Sequence, residues 1–395
     1  MPILFLVVFV VMAGFAMLLP SIMYVLENMG VSQAAATPIL ASYSFAQFVV
    51  GPFWGKLSDR HGRKPVLLVS LAGSAVSYAF LSTYADTAAH ILIGLVAVGV
   101  FAGNTSVVLA SVTDLTNAEN RAKGMGLIGA GIGLSFTLGP FVGAMVGGAN
   151  AQSATIASAA LISSILCAVG LLVVLVRFSE THGAKARGHD GLEHISRMEA
   201  FGRIKSRPVL MQICLMMLCF TIPLAMMEST LSYFMEIKFH WGPQEMGRLF
   251  FVIGMVLMIV QGGLIGRLTS RFGERSLARS GIVLMGGGLI TILVAPSTAM
   301  VYLGIVATSV GTAFFNTSMS SLASHRAKDS ERGAVMGVFQ SMQSLGRSSG
   351  PLVAGLLNQQ LNGLPLLVGG GVMAIVLLWM VGLHRQLRDA DMRVL

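Results

Sequence analysis

Two ionisable residues stand where an apolar chain accommodates them least. Glu228 lies in the apolar run 209–235, and Arg347 lies almost at the middle of the run 333–357. A charge at bilayer depth costs on the order of 3 kcal/mol or more, so such a group faces a cavity or a partner. A carboxylate placed there can take up and release a proton or attract a cation. A guanidinium can tune that carboxylate or hold an anionic group. A plainer reading stands beside this one. Glu228 falls about six residues past the middle of its run, roughly 9 Å outward at 1.5 Å per residue. There it can be an interfacial residue in wet surroundings, with Arg347 as its structural partner. Asn104, Asn316, Gln340, Gln343, Gln47 and Gln261 place further polar groups inside apolar runs. Tyr24, Tyr43, Phe314, Phe315, Met226, Met227 and Tyr233 add adaptable apolar surface, which makes all of these candidates for lining a substrate cavity. The chain has 25 methionines, whose flexible thioethers suit permissive hydrophobic binding, although any single Met is more often packing.

Other chemistries lack their residues. Cys167, Cys214 and Cys219 all fall inside apolar runs and form neither a disulfide framework nor a metal spacing. His182, His189 and His194, with Asp190 and Glu193, match no standard metal motif. The glycine runs do not follow a strand as a dinucleotide or phosphate loop requires, and no nucleophile motif is present. The sequence therefore predicts no enzyme, no metal and no bound cofactor.

The elements that must hold Glu228 and Arg347 are membrane helices. Only 11% of the 395 residues are charged, less than half the share in a soluble domain, and mean hydropathy is +0.77. Apolar runs long enough to cross a bilayer recur along the chain. They cover 3–26, 36–57, 66–84, 89–112, 122–147 and 153–177, then 209–235, 246–268, 277–296, 299–322, 333–357 and 363–384. The first has no basic flank or cleavage pattern and is expected to be a retained span. Of the 26 Lys and Arg, all but Lys238, Arg248 and Arg347 fall in the loops after even-numbered runs or in the tail. That asymmetry predicts both termini in the cytoplasm and accounts for the net charge of +9 without nucleic acid. The predicted organisation is an all-α membrane protein of twelve transmembrane helices. Residues 1–177 form one six-helix bundle, 178–207 a cytoplasmic linker, and 208–395 a second six-helix bundle.

The densest charge lies between the second and third runs, in Gly55-Lys56-Leu57-Ser58-Asp59-Arg60-His61-Gly62-Arg63-Lys64-Pro65. Such a cluster must sit in water between spans. Its Gly-x-Leu-x-x-Arg-x-Gly frame returns at Gly266, Leu268, Arg271 and Gly273, offset by 211 residues. The same offset relates Arg121 to Arg332, Gly126 to Gly337, and Gly139-Pro140 to Gly350-Pro351. Two parallel repeats of six spans result.

This turn resembles the loop between helices 2 and 3 of the major facilitator superfamily, and the six-plus-six repeat agrees with that fold. The resemblance implies a conformational latch made by Gly55, Asp59, Arg60, Gly62, Arg63 and Lys64. In it, Asp59 faces the start of the eleventh helix, and Arg63 pairs with an acid ending the fourth, for which Asp114 is in place. In the second copy Asp59 becomes Ser270 and Arg63 becomes Glu274, so the second latch is expected to be degraded. The fifth span carries Gly126, Ser135, Gly139, Pro140 and Gly143; the eleventh carries Gly337, Gly346, Gly350 and Pro351 at matching spacing. This resembles the helix-5 motif of the twelve-helix drug–proton antiporters, and it equally suits ordinary helix packing. Two features of that branch are missing: the fourth span has no Arg near its glycines, and the first has no acid before Glu27.

The resemblance implies proton-coupled efflux of hydrophobic or amphipathic compounds by alternating access, driven by the proton gradient. Glu228, Asp59 and Asp114 are the candidate proton carriers. A lipid or lysolipid translocator, or a proton-coupled symporter of a small metabolite, remains the alternative. The expected setting is a bacterial inner membrane, with a monomer meeting membrane lipids, a small amphipathic substrate and no nucleic acid.

Overall fold

A computed structural model describes residues 1–116, 121–181, 202, 207–327, 332–358 and 362–392, with the side chains of a few residues next to the gaps left undescribed. Every regular element it describes is helical. Helices α1 (Pro2–Asn28), α2 (Gln33–His61) and α3 (Arg63–Tyr84) lead to α4 (Ala88–Ala102) and α5 (Thr105–Leu115), followed by α6 (Arg121–Val146) and α7 (Ala157–Arg177). Next come α8 (Pro208–Phe239) and α9 (Pro243–Ile259). A π-turn (Val260–Leu264) joins α9 to α10 (Ile265–Phe272), and α11 (Glu274–Val294), α12 (Thr298–Arg326), α13 (Arg332–Asn358) and α14 (Leu364–Met392) complete the chain. Among the described residues, 11 stretches are long and apolar enough to cross a membrane; α4 with α5, and α9 through α10, each make one of them. α13 is a further 27-residue helix, more polar because it carries Arg347 and a run of serines. The histidines and acids of 182–194 and the bases of 185–205 lie outside the described residues.

Two compact units divide the chain. One is Met1–Gly191 with Leu231–Met255; the other is Leu192–Thr230 with Val256–Leu395. The end of α8 and most of α9 thus belong to the first unit.

In the first unit α1 is buried on nearly every turn, as expected of a helix apolar all round. It is enclosed by α6 and α7, and the small residues of α6 set the distance. A Cβ on Gly143 would collide with the Met17 carbonyl, and one on Gly139 with Ala16. Ser135 donates to the Phe9 carbonyl at 3.0 Å, closing the same seam. Small residues four apart let backbones approach, which is how helices associate in lipid. The second unit repeats the device, with Gly346 against Thr221 and Gly350 against Ala225 of α8. Gly337, at the other end of the motif, meets nothing within 4 Å, and Gly126 lies in α6.

The sequence reading expected one unbroken span over 89–112. The structure breaks the helix at Gly103 and Asn104, between α4 and α5. The freed polar groups are re-satisfied locally. Gln47 donates to the Ala102 carbonyl at 3.1 Å, Trp54 Nε1 to that of Val100 at 2.6 Å, and Asn104 Nδ2 to Ser70 Oγ at 2.8 Å. A broken helix survives in lipid only where neighbours supply such partners.

Candidate functional site

Glu228 and Arg347 meet. Arg347 Nη1 lies 3.2 Å from Glu228 Oε2, across the α8–α13 seam of the second unit. The glycine contacts fix the register that allows this. Gly346 faces Thr221 and Gly350 faces Ala225, so the two helices run in the same direction. Arg347 therefore starts roughly one and a half turns before Glu228. A helical side chain leans towards its own N-terminus, which brings the carboxylate back to the long Arg stem. The two side chains keep 28% and 34% of their surface open. Neither side chain is fully enclosed by protein. Gln340, Gln343 and Arg347 recur at i, i+3 and i+7 on one face of α13, with Gln340 exposed and Gln343 half-buried.

Most other cavity candidates are packing residues in this structure. Tyr24 is buried and its hydroxyl donates to the Ser232 carbonyl at 3.2 Å. Tyr43 is buried and stacks on Phe15 with centroids 3.7 Å apart. Phe315 stacks on Phe220 at 4.0 Å, and Met226 and Met227 are buried in α8. Asn104 is enclosed by its bond to Ser70. Phe314, Asn316 and Tyr233 are half-buried, and Gln261 lies exposed in the π-turn.

The charged turn is a network centred on Arg63, which is buried. Its Nη1 lies 2.6 Å from Asp59 Oδ1 and 2.6 Å from Ser58 Oγ, and its Nε lies 3.0 Å from Asp114 Oδ2. Asp59 belongs to the last turn of α2, one helical turn before Arg63, and Asp114 to the last turn of α5, so one guanidinium ties three helices. Such forked binding of two carboxylates is what guanidinium geometry allows. Gly62 makes the corner possible. At φ +96° and ψ 158° it occupies a region essentially reserved for glycine. Arg60 is exposed at the end of α2 and Lys64 half-buried at the start of α3.

One member of this network was not foreseen. Glu180, just after α7, accepts from the backbone amides of Arg63 at 2.8 Å and Lys64 at 3.0 Å. These are orphan donors at the start of α3, where the helix dipole favours an anion. An exposed acid inside a polar stretch carries no signal by itself. Only the need of α3 for a cap, with Gly62 unable to supply one, pointed to an outside donor of charge.

The second copy also departs from expectation. Glu274 does not leave its position empty. It accepts from the Ser321 hydroxyl and lies 3.6 Å from His325 Nε2, joining α11 to α12. By the 211-residue offset Glu274 stands where Arg63 does and His325 where Asp114 does. The contact is kept with the acidic and basic residue types exchanged between the two positions.

Among the described residues, helices with apolar spans, small-residue seams and an ion pair between two of the long helices make this a polytopic membrane protein. The family model of the Major Facilitator Superfamily matches residues 4–268 and 226–391, and the chain belongs to that family. It is a transporter and not an enzyme. It is 29% identical over 332 residues to human major facilitator superfamily domain-containing protein 10, covering 80% of this chain and 71% of that one. It is 28% identical to the class G tetracycline resistance protein of Vibrio anguillarum, covering 80% and 78%. The class B protein of Escherichia coli is 26% identical, covering 87% and 82%. Among solved structures, the human organic anion transporter MFSD10 superposes with a TM-score of 0.73 at 24% identity, covering 96% of this chain and 98% of that one. The nucleoside transporter NupG gives 0.75 at 16%, covering 97% and 98%.

Proposed function

We propose that this chain is a secondary active exporter that exchanges protons for amphipathic or hydrophobic compounds by alternating access. The observation that carries the reading is the Glu228–Arg347 pair, an acid and a base on two long helices, neither fully enclosed by protein. When Glu228 is ionised the pair is closed. Protonation of Glu228 releases Arg347, so charge at the site changes with proton loading. The likeness to tetracycline resistance proteins supports efflux of amphipathic compounds. In this reading α13 is the twelfth span, 1–177 and 208–395 are the two six-helix bundles joined by 178–207, and both termini are cytoplasmic. The Arg63 network with Gly55, Asp59, Arg60, Gly62, Lys64 and Asp114 is the conformational latch. The protein works as a monomer in a bacterial inner membrane, with the proton gradient as its driving force.

The test uses purified protein in proteoliposomes with an imposed proton gradient. Lipophilic cations, uncharged drugs, acidic amphiphiles and a fluorescent lysolipid are followed for wild type and Glu228→Gln. Gradient-driven movement of a small amphiphile is expected, reduced about tenfold or more in the variant. Movement of the lysolipid alone, or movement indifferent to gradient and substitution, would replace export with lipid translocation and return Glu228 to a structural role.

A further inference from the structure

The two copies of the fourth span are built differently. In the first, α4 ends at Ala102 and α5 begins at Thr105. Gly103 and Asn104 between them hold ψ at −7° and −9°, well short of the helical value of about −42°. The second copy, α12, runs unbroken from Thr298 to Arg326. The 211-residue offset shows why. Side chains of α2 take two carbonyls at the interruption, Trp54 that of Val100 and Gln47 that of Ala102, while Asn104 donates to Ser70 of α3. At the positions matching Trp54, Gln47 and Ser70 stand Ile265 and Met258, which donate nothing, and Gly281, which has no side chain. Gly281 instead lets α11 lie against the backbone of α12, where a Cβ would strike the Gly311 carbonyl.

The interruption lies between an anchored half of the span and the Arg63 network. α4 is seated on α2: a Cβ on Gly99 would strike the Tyr43 carbonyl, and one on Gly103 the Trp54 ring. At the root of α5, Ser106 donates to the Gly51 carbonyl at 2.9 Å. At its far end Asp114 Oδ2 lies 3.0 Å from Arg63 Nε. Asp114 is ten residues beyond Asn104. That arm is about 15 Å long, so a bend of about ten degrees carries the carboxylate about 2.5 Å. Such a step parts it from the guanidinium.

We propose that residues 103–104 are a hinge: α5 swings about them and draws Asp114 off Arg63 when the charged turn opens, while α4 stays seated on α2. The proposal rests on the reading of the Arg63 network as a latch. A hinge is a few element-terminal residues that absorb a change of backbone dihedral, which is what Gly103 and Asn104 are. Gln47, Trp54 and Ser70 are its positioning residues, because they hold the interruption in the helix from the side. The second copy, with α12 continuous as far as His325 beside Glu274, has no separate arm to swing.

Double electron–electron resonance on the full-length protein, with Cys167, Cys214 and Cys219 replaced by Ala, reads the swing as a distance. Nitroxides at Leu115 and Val176 report the end of α5 against the end of α7, and nitroxides at Ile93 and Leu161 report the starts of α4 and α7; all four positions are exposed. Asp114→Asn removes the charge that ties α5 to Arg63. It should change the first distance by about 2–3 Å and leave the second within about 1 Å. In Gln47→Met/Trp54→Ile, which carries the residues of the second copy, Asp114→Asn should move neither. Gln47→Met alone should at least halve the shift, and serves if the double variant does not fold. A shift of both distances keeps the latch and overturns the hinge, since α4 and α5 would then move as one rod. A shift of neither overturns latch and hinge together, and a full shift in the folded second-copy variants overturns the hinge. These distances need no substrate and no proton gradient, so they stand apart from the outcome of the transport test.

Discussion

The first charged turn is built around a buried arginine, and the second around a glutamate. In residues 55–64 a buried arginine is matched by two carboxylates and a serine, and an outside glutamate caps the next helix. In residues 266–275 the same backbone carries a glutamate in place of that arginine, held by a serine and a histidine that is 73% exposed. Electrostatics in water separates the two. A buried guanidinium is bound tightly because leaving it unpaired is costly, whereas an exposed ion pair contributes little. Repetition preserved the corner, and the residues around it decide how tightly it is held.

The largest expected effect is at the centre of the closed turn. Arg63→Ala removes the one cation between Asp59 and Asp114 and leaves two carboxylates facing each other. A loss of about 2–4 kcal/mol is expected, read as a fall in thermal unfolding temperature of the purified protein. Glu274→Ala at the matching position should cost under about 1 kcal/mol, because its partners are a hydroxyl and an exposed histidine. Equal losses at the two positions would end the distinction between a tightly and a loosely held turn.

A smaller contrast lies in the glycines. Gly62→Ala and Gly273→Ala both force a side chain into a backbone region that only glycine occupies at ease, costing about 1–3 kcal/mol each. At Gly62 the new methyl must also displace Glu180, while at Gly273 it meets no atom of the described residues within 4 Å. Unfolding temperatures should therefore fall further for Gly62→Ala. A reversed order would mean that Glu180 yields at no cost.

How much of this was legible depended on whether the signal was periodic, paired or tertiary. Spans were legible because twenty apolar residues in a row leave few alternatives, and the described helices follow the expected runs within a few residues except at the end of α14, which continues to Met392, eight residues past the expected 384. The Gly139–Gly143 and Gly346–Gly350 seams were legible as small residues four apart, though spacing could not say that α1 and α8 were their partners. The Glu228–Arg347 contact was legible as a possibility only, since two lone charges in an apolar chain seek each other but the register comes from the glycines beside them. The break at residues 103–104 was hidden, because no proline marks it and its polar groups are satisfied by Gln47, Trp54 and Ser70 from elsewhere. The exchange of Arg63–Asp114 for Glu274–His325 was in the sequence all along, at the same offset that revealed the repeat. Reading the turn without the helix it touches made it look like decay.

The smallest effect is the most informative. Glu180→Gln keeps the shape of the side chain, removes its charge and leaves a single acceptor oxygen, so one of the Arg63 and Lys64 amides loses its partner together with the anion at the start of α3. A charge at an exposed helix end is worth about 0.3–1 kcal/mol and the lost hydrogen bond a similar amount, so a drop of about 1 kcal/mol is expected. The substitution also turns the first corner into a neutral one beside Arg63 and Lys64, closer in charge to the second. If an anion is what such a corner demands, added phosphate should raise the unfolding temperature of Glu180→Gln more than that of wild type. A variant as stable as wild type, and indifferent to phosphate, would show that hydrogen bonding alone holds the corner, and the contrast between the two turns would then rest on Arg63.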